Sequence, residues 1–256
     1  RPAYGADPVR GGAAALPSGR NIHGIDPWRL PTDLALERGR RMAELLIERH
    51  RAAHGAWPRT VAQALWAMDT IKSEGEGIAV VLGLVGAEPE RDGQGKIFRF
   101  NLIPLETLGR PRIDVLLDVS AVFRDTFQMS LDLLDELFRC AALADEPAEL
   151  NFLCANTLAL RAAGRSEEEA TARIFTQAAG LYGTGVDELI EENQWEDSSQ
   201  LADMYQQRNA FTAGGKRNGA AAPEVLRGLL GTVDHVFQAI DSVEYGLTDM
   251  THYYGH

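Results

Sequence analysis

Ile113-Asp114-Val115-Leu116-Leu117-Asp118-Val119 is the stretch whose reading decides the fold. Ile113, Val115, Leu117 and Val119 alternate onto one face, the period of a strand, and a helix follows with Phe127, Leu131, Leu134, Phe138 and Ala141 along one side. Working upstream, residues 97–103 read as another strand with Phe98, Phe100 and Leu102 on one face. Ile78, Val81, Leu82 and Val85 recur at helical spacing, and Val61 to Met68 is a short apolar strand that runs into a polar loop at residues 69–75. Strands alternating with helices predict an α/β fold whose small, mainly parallel sheet is flanked by helices over residues 58–146. Ahead of it, residues 1–57 form a Gly-, Pro- and Ala-rich lead-in and a helix capped by Thr32, with Ala35, Met42, Leu45 and Leu46 on its apolar face up to about Arg51. Beyond it, residues 147–256 read as a mostly α-helical region. Ser166 with Glu169, and Asp197 with Gln200, mark helix starts, and a long helix opens at Pro223 and carries Val225, Leu226, Leu229, Leu230, Val233, Phe237 and Ile240.

Lys and Arg number 25 against 37 Asp and Glu, a net charge of −12, which argues against holding nucleic acid by its phosphates. Two cysteines, Cys140 and Cys154, make neither a disulfide framework nor a four-cysteine zinc site and suit a reducing cytoplasm. No apolar run reaches the roughly 20 residues of a membrane span, and no targeting segment is visible. Gly75, Gly77, Gly83 and Gly86 match no phosphate-loop spacing, and Gly214-Gly215-Lys216 lacks both the hydroxyl residue and a preceding strand, so ATP is not expected to bind this chain.

Three sets of side chains carry chemistry. His50 and His54 share a helix face near its end, where solvated imidazoles are the expected reading. Glu244, Asp249, His252 and His256, beside Tyr253 and Tyr254, gather carboxylates and imidazoles able to hold a divalent ion or accept a proton. Arg110, Arg112, Arg124 and Arg173 either clasp the carboxylates of an acidic ligand or make structural ion pairs with Asp114, Asp125 or Glu146; the sequence leaves both open.

Several strings together resemble one family, the large porphyrin-binding component of magnesium chelatase, its H subunit, with the large subunit of aerobic cobaltochelatase as a relative. They are Gly19-Arg20-Asn21-Ile22-His23-Gly24-Ile25-Asp26-Pro27, Leu65-Trp66 through Asp69 with Gly75-Glu76, and Leu108-Gly109-Arg110-Pro111-Arg112-Ile113-Asp114-Val115 followed by Phe123-Arg124-Asp125. Asp145-Glu146-Pro147, Arg173-Ile174-Phe175, Gly180 with Tyr182, Trp195-Glu196-Asp197 and His252-Tyr253 continue the likeness in order along the chain. Ala67-Met68 and Ala121-Val122 depart from it, standing where the family usually has Gly-Thr and a Gly after the serine.

The resemblance implies a portion or reduced homologue of a protein that inserts Mg²⁺ into protoporphyrin IX in (bacterio)chlorophyll biosynthesis. ATP would be hydrolysed on an AAA+ ATPase subunit working with an integrin-like subunit. It further implies His252, Glu244, Asp249, Glu76 and His23 for proton transfer, with His252, Asp249 and Glu244 handling the metal. Arg110, Arg112, Arg124 and Arg173 would seat the propionates, and Trp66, Phe123 and Tyr182 would pack on the macrocycle. The alternatives are a cobaltochelatase homologue and a tetrapyrrole carrier or sensor that does not insert metal.

Overall fold

The computed structural model describes residues 25–239. The candidates His23, Glu244, Asp249 and His252, and the tail residues Tyr253, Tyr254 and His256, lie outside that range. Thr32 accepts a hydrogen bond from the Ala35 N–H and opens helix α1 (Asp33–His54), which Gly55 closes in the left-handed conformation. Its buried face is Ala35, Gly39, Ala43, Leu46, Ile47 and His50; Leu45, expected on that face, is exposed. Strand β1 (Thr60–Leu65) follows, then the short helix α2 (Ala67–Lys72) and helix α3 (Glu76–Val85), which is buried almost all round. Helices α1 and α3 meet through small residues: a Cβ built on Gly39 would lie 2.4 Å from Ala79 Cβ, and one on Gly83 would lie 2.8 Å from Ala43 Cβ.

Strands β2 (Ala87–Arg91) and β3 (Ile97–Leu102) pair antiparallel as a separate hairpin rather than joining the main sheet. The register shifts between Glu90 and Arg91, whose partners are Arg99 and Ile97, so Phe98 is the extra residue of a bulge. Phe98 is therefore exposed and Ile97 buried, where even alternation placed Phe98 with Phe100 and Leu102.

After helix α4 (Leu105–Leu108) comes β4 (Asp114–Val119), then α5 (Ala121–Thr126), α6 (Gln128–Ala142), α7 (Phe152–Ala162) and α8 (Glu167–Ala170), the last opened by a capping box of Ser166 and Glu169. The chain continues through β5 (Ile174–Thr176), α9 (Val186–Glu191), α10 (Ser198–Arg208), β6 (Phe211–Thr212), α11 (Pro223–Leu230) and β7 (His235–Gln238). Strand order is β6-β5-β4-β1-β7, with β5–β6 antiparallel and the other neighbours parallel. The α/β fold with a mainly parallel sheet flanked by helices is thus observed.

Two readings of the second half need correction. The helix opened by Pro223 stops at Leu230, and residues 235–238 form β7, paired parallel with β1 from Val61↔His235 to Ala64↔Gln238. Val233 and Phe237 continue a helical spacing by coincidence; Gly231 ends the helix and β-branched Val236 sits in the strand. Three strands of the five-stranded sheet come from beyond residue 147, so the sheet itself runs across the expected boundary there.

Alternation along β1 and β4 divides the core. Val61, Leu65, Val115, Leu117 and Val119 face α1, α3, α5 and α6, whereas Ala62, Leu116 and Phe175 face α7 and α11. On that second face, towards the carboxyl ends of the parallel strands, the sheet is incompletely covered.

Candidate functional site

A cavity of about 640 Å³ opens over the second face of the sheet. Ala62 and Ala64 on β1 supply its floor with side chains too small to fill the space, and Trp66, Asp118, Ser120, Gln177, Val236 and Gln238 stand where strands end. Its outer wall comes from Gly183, Thr184, Val186, Asp187, Ile190 and Glu191 on and before α9, with Tyr205 of α10 and Leu230 of α11. Ligands of open parallel sheets bind beyond the carboxyl ends of the strands, which is where this cavity lies.

The polar groups inside an otherwise apolar lining are few. Asp118 Oδ2 accepts a hydrogen bond of 3.0 Å from the Tyr205 hydroxyl. Burial pushes the Asp118 carboxyl up to about 6 despite that bond, and burial beside the same carboxylate pushes the Tyr205 phenol up as well. Among the described residues, Gln238 Nε2 and Asp187 Oδ1 are buried without partners, whereas the Gln63 side chain lies on the Val61–Leu65 face of β1, where its Nε2 donates to Gly77 O at 2.8 Å on the other side of the sheet. Buried polar atoms are nearly always satisfied, so the two unpaired atoms on the cavity wall, on Asp187 and Gln238, mark a place for a ligand or ordered water.

A carboxyl with a raised pKa is a stability statement. Asp118 holds its proton in the folded state near pH 5, where an unfolded aspartate, at about 3.9, has released it. Stability at this site therefore declines as pH rises from about 4 through 6. Asp118→Asn keeps an acceptor for Tyr205 without the charge. It should match wild type near pH 4 and exceed it by about 1–2 kcal/mol at pH 8, discounted for access from the cavity. Urea unfolding at the two pH values measures this, and a gain independent of pH would contradict it.

The expected binding residues separate sharply. Trp66 is in the cavity lining, just after β1. Phe123 is fully buried in the core on the other face, its ring 4.8 Å from that of Phe127, and cannot stack on a ligand from there. Tyr182 is exposed and donates to Asp125 Oδ2 at 3.0 Å. Glu76 is in the first turn of α3, where its N–H donates to Ser73 Oγ, and it is not part of the cavity lining.

All four arginines bond within the protein itself: Arg112, Arg124 and Arg173 in the ion pairs that the sequence left open, and Arg110 with backbone carbonyls alone. Arg173 is wholly buried; its Nε donates to both oxygens of Asp114 at 2.8 and 3.0 Å, and its Nη atoms reach Ala170 O, Ala172 O, Leu153 O and Thr157 Oγ1. Arg112 clasps Glu146 through two 2.7 Å bonds and donates to the carbonyls of Val85, Gly86 and Ile103. Arg124 donates to Asp125 Oδ1 and to the carbonyls of Gln177 and Ala178. Arg110 donates to the carbonyls of Gly83, Leu84 and Pro111. None of the four lines the cavity.

His50 and His54 stack at 4.4 Å between ring centroids, and β7 brings His235 to 6.4 Å from His50. His54 and His235 are exposed, and burial with the two neighbouring imidazoles lowers the His50 pKa. Among the described residues, no three His, Cys, Asp or Glu side chains are placed to hold a metal ion. No described helix is long and apolar enough to cross a membrane. Sequence reasoning missed Asp118 and Tyr205; the available signal was a carboxylate at the carboxyl end of an otherwise apolar strand.

Residues 1–256 match the family model described as CobN/Magnesium Chelatase. The chain belongs to that family. It is 49% identical over 98% of its length to the magnesium-chelatase H subunit of Chlorobaculum parvum, and 40% identical over 99% to that of Rhodobacter capsulatus. It is 35% identical over 96% of its length to the aerobic cobaltochelatase subunit CobN of Sinorhizobium. The structure superimposes on the catalytic subunit of cobaltochelatase from Mycobacterium tuberculosis with a TM-score of 0.84 at 34% identity over 93% of this chain. This CobN/magnesium chelatase chain spans about a fifth of each of these: 20% and 21% of the H subunits and 20% of the two cobaltochelatase subunits.

Proposed function

We propose that the chain forms a tetrapyrrole-binding part of a magnesium chelatase H subunit, acting in insertion of Mg²⁺ into protoporphyrin IX. The observation that carries this reading is the apolar cavity of about 640 Å³ at the carboxyl ends of the strands, walled by Trp66 and holding the half-buried Asp118–Tyr205 pair. A flat apolar macrocycle needs extended apolar surface with an aromatic face. Metal insertion also requires removal of two pyrrole protons and stripping of water from a strongly hydrated ion. A carboxyl whose pKa burial raises to about 6 in apolar surroundings is suited to the first task, so Asp118 takes the cavity's proton-accepting role in place of Glu76, which lies outside the lining, and joins His23. His252, Glu244 and Asp249 are assigned to delivery of the ion, Mg²⁺ being substrate.

Magnesium over cobalt is supported by 49% identity to a magnesium-chelatase subunit against 35% to a cobaltochelatase subunit. ATP is hydrolysed in this scheme by the AAA+ and integrin-like partner subunits in the cytoplasm, in keeping with a sequence that has no phosphate loop. Titration with protoporphyrin IX should quench the chain's tryptophan fluorescence saturably, and adding partner subunits, Mg²⁺ and ATP should produce the metalloporphyrin spectrum. Binding without insertion would assign the carrier reading instead, and absence of binding would overturn both.

A further inference from the structure

The charged residues in the cavity's described lining are of one sign. Its described lining contains Asp118, Asp187 and Glu191 and neither lysine nor arginine. Two nearby guanidiniums are already engaged: Arg124 with Asp125 and the carbonyls of Gln177 and Ala178, and Arg208 with Glu188 at 3.1 Å. Strand β7 forms one wall through Val236 and Gln238. The arginines that the sequence offered as seats for an acidic ligand instead tie the fold together.

A ligand carboxylate entering this space would lose water and meet further carboxylates in a medium of reduced dielectric, with no lysine or arginine among the described lining residues to offset either cost. An uncharged apolar edge meets Ala62, Ala64, Trp66, Val186, Ile190 and Leu230 instead. Nor do the unpaired atoms favour an anion: Gln238 Nε2 is one neutral donor, while Asp187 Oδ1 is an acceptor that wants an N–H or O–H.

We infer that the cavity receives the tetrapyrrole by its carboxylate-free, alkyl-substituted side, leaving the propionates outside it, so that this chain selects against negative charge on the inserted edge. The inference rests on the tetrapyrrole reading above and adds an orientation to it. The macrocycle enters with its acidic side directed away from Asp118, and any cationic seat for the propionates belongs to something other than this cavity.

The test compares protoporphyrin IX with its dimethyl ester, each titrated into the full chain at pH 8 in the same dilute non-ionic detergent and read by tryptophan quenching. The ester should bind at least as tightly as the diacid. Raising salt from about 50 to 500 mM should tighten the diacid and leave the ester unchanged, because screening weakens like-charge repulsion. Asp118→Asn should tighten the diacid relative to the ester by about threefold or more, since only the diacid is repelled by that carboxylate. A diacid that binds tighter than the ester, and weakens with salt, would overturn the inference while leaving tetrapyrrole binding intact. If neither compound binds, the tetrapyrrole reading fails and the inference with it.

Discussion

Asp114→Ala is expected to destabilise the fold by about 3–5 kcal/mol, because it leaves the Arg173 guanidinium fully buried without its counter-charge. Asp114 also accepts from Asn156 Nδ2 at 2.8 Å and from the Val115 N–H at 2.8 Å, so the substitution breaks a junction between β4, α7 and the start of β5. A domain of this size has a net stability of about 5–15 kcal/mol, so the variant should unfold at much lower urea or be recovered largely unfolded. Replacing the charged pair together, as Asp114→Leu with Arg173→Met, should recover part of the loss, since no lone charge is then buried. A urea midpoint for Asp114→Ala within experimental error of wild type would show that the pair does not hold these elements.

Gly39→Val should cost about 3 kcal/mol, the upper range for forcing extra volume into a packed interior. A Cβ at position 39 would sit 2.7 Å from the backbone carbon of Ala79 and from the Val80 nitrogen, atoms that cannot rotate away as a flexible side chain would. Valine carries two further methyl groups into the same contact. Helices α1 and α3 must then separate, and α3 forms the layer against Val61 and Leu65 of β1. Thermal unfolding measures the effect. Gly→Ala in an exposed helix is normally favourable by about 1 kcal/mol, so even Gly39→Ala should show the opposite sign. Unchanged stability for Gly39→Val would contradict the close helix approach.

The parts of the fold that were legible in the sequence are those whose burial is periodic over several residues. Val115, Leu117 and Val119 mark β4, and Leu131, Leu134, Phe138 and Ala141 mark α6, because each buries one regular face. Strands β5 and β6 have only three and two residues, too few for alternation to register, and β7 borrowed the spacing of the helix before it. The β2–β3 bulge at Phe98 is set by cross-strand pairing, which a local period does not contain.

At the site, the resemblance named Trp66, which lies in the cavity lining, but the sequence could not choose between the two roles of the arginines, for a long-range reason. Whether a guanidinium faces a ligand or a carboxylate of its own chain depends on partners up to 59 residues away, as for Arg173 and Asp114. Asp118 was hidden in the opposite way. A polar residue alternating out of an apolar strand reads as the solvent side, and only the packing of α10 beside it turns that side into a cavity wall.

The central claim is that a tetrapyrrole occupies the space above Ala62 and Ala64. It is tested most directly by filling that space: protoporphyrin IX dimethyl ester is titrated into wild type and into Ala64→Phe, with thermal unfolding as the control for folding. The account predicts saturable quenching in the wild type and at least a tenfold weaker dissociation constant in a folded Ala64→Phe variant. The dimethyl ester binding equally to both folded proteins would contradict it.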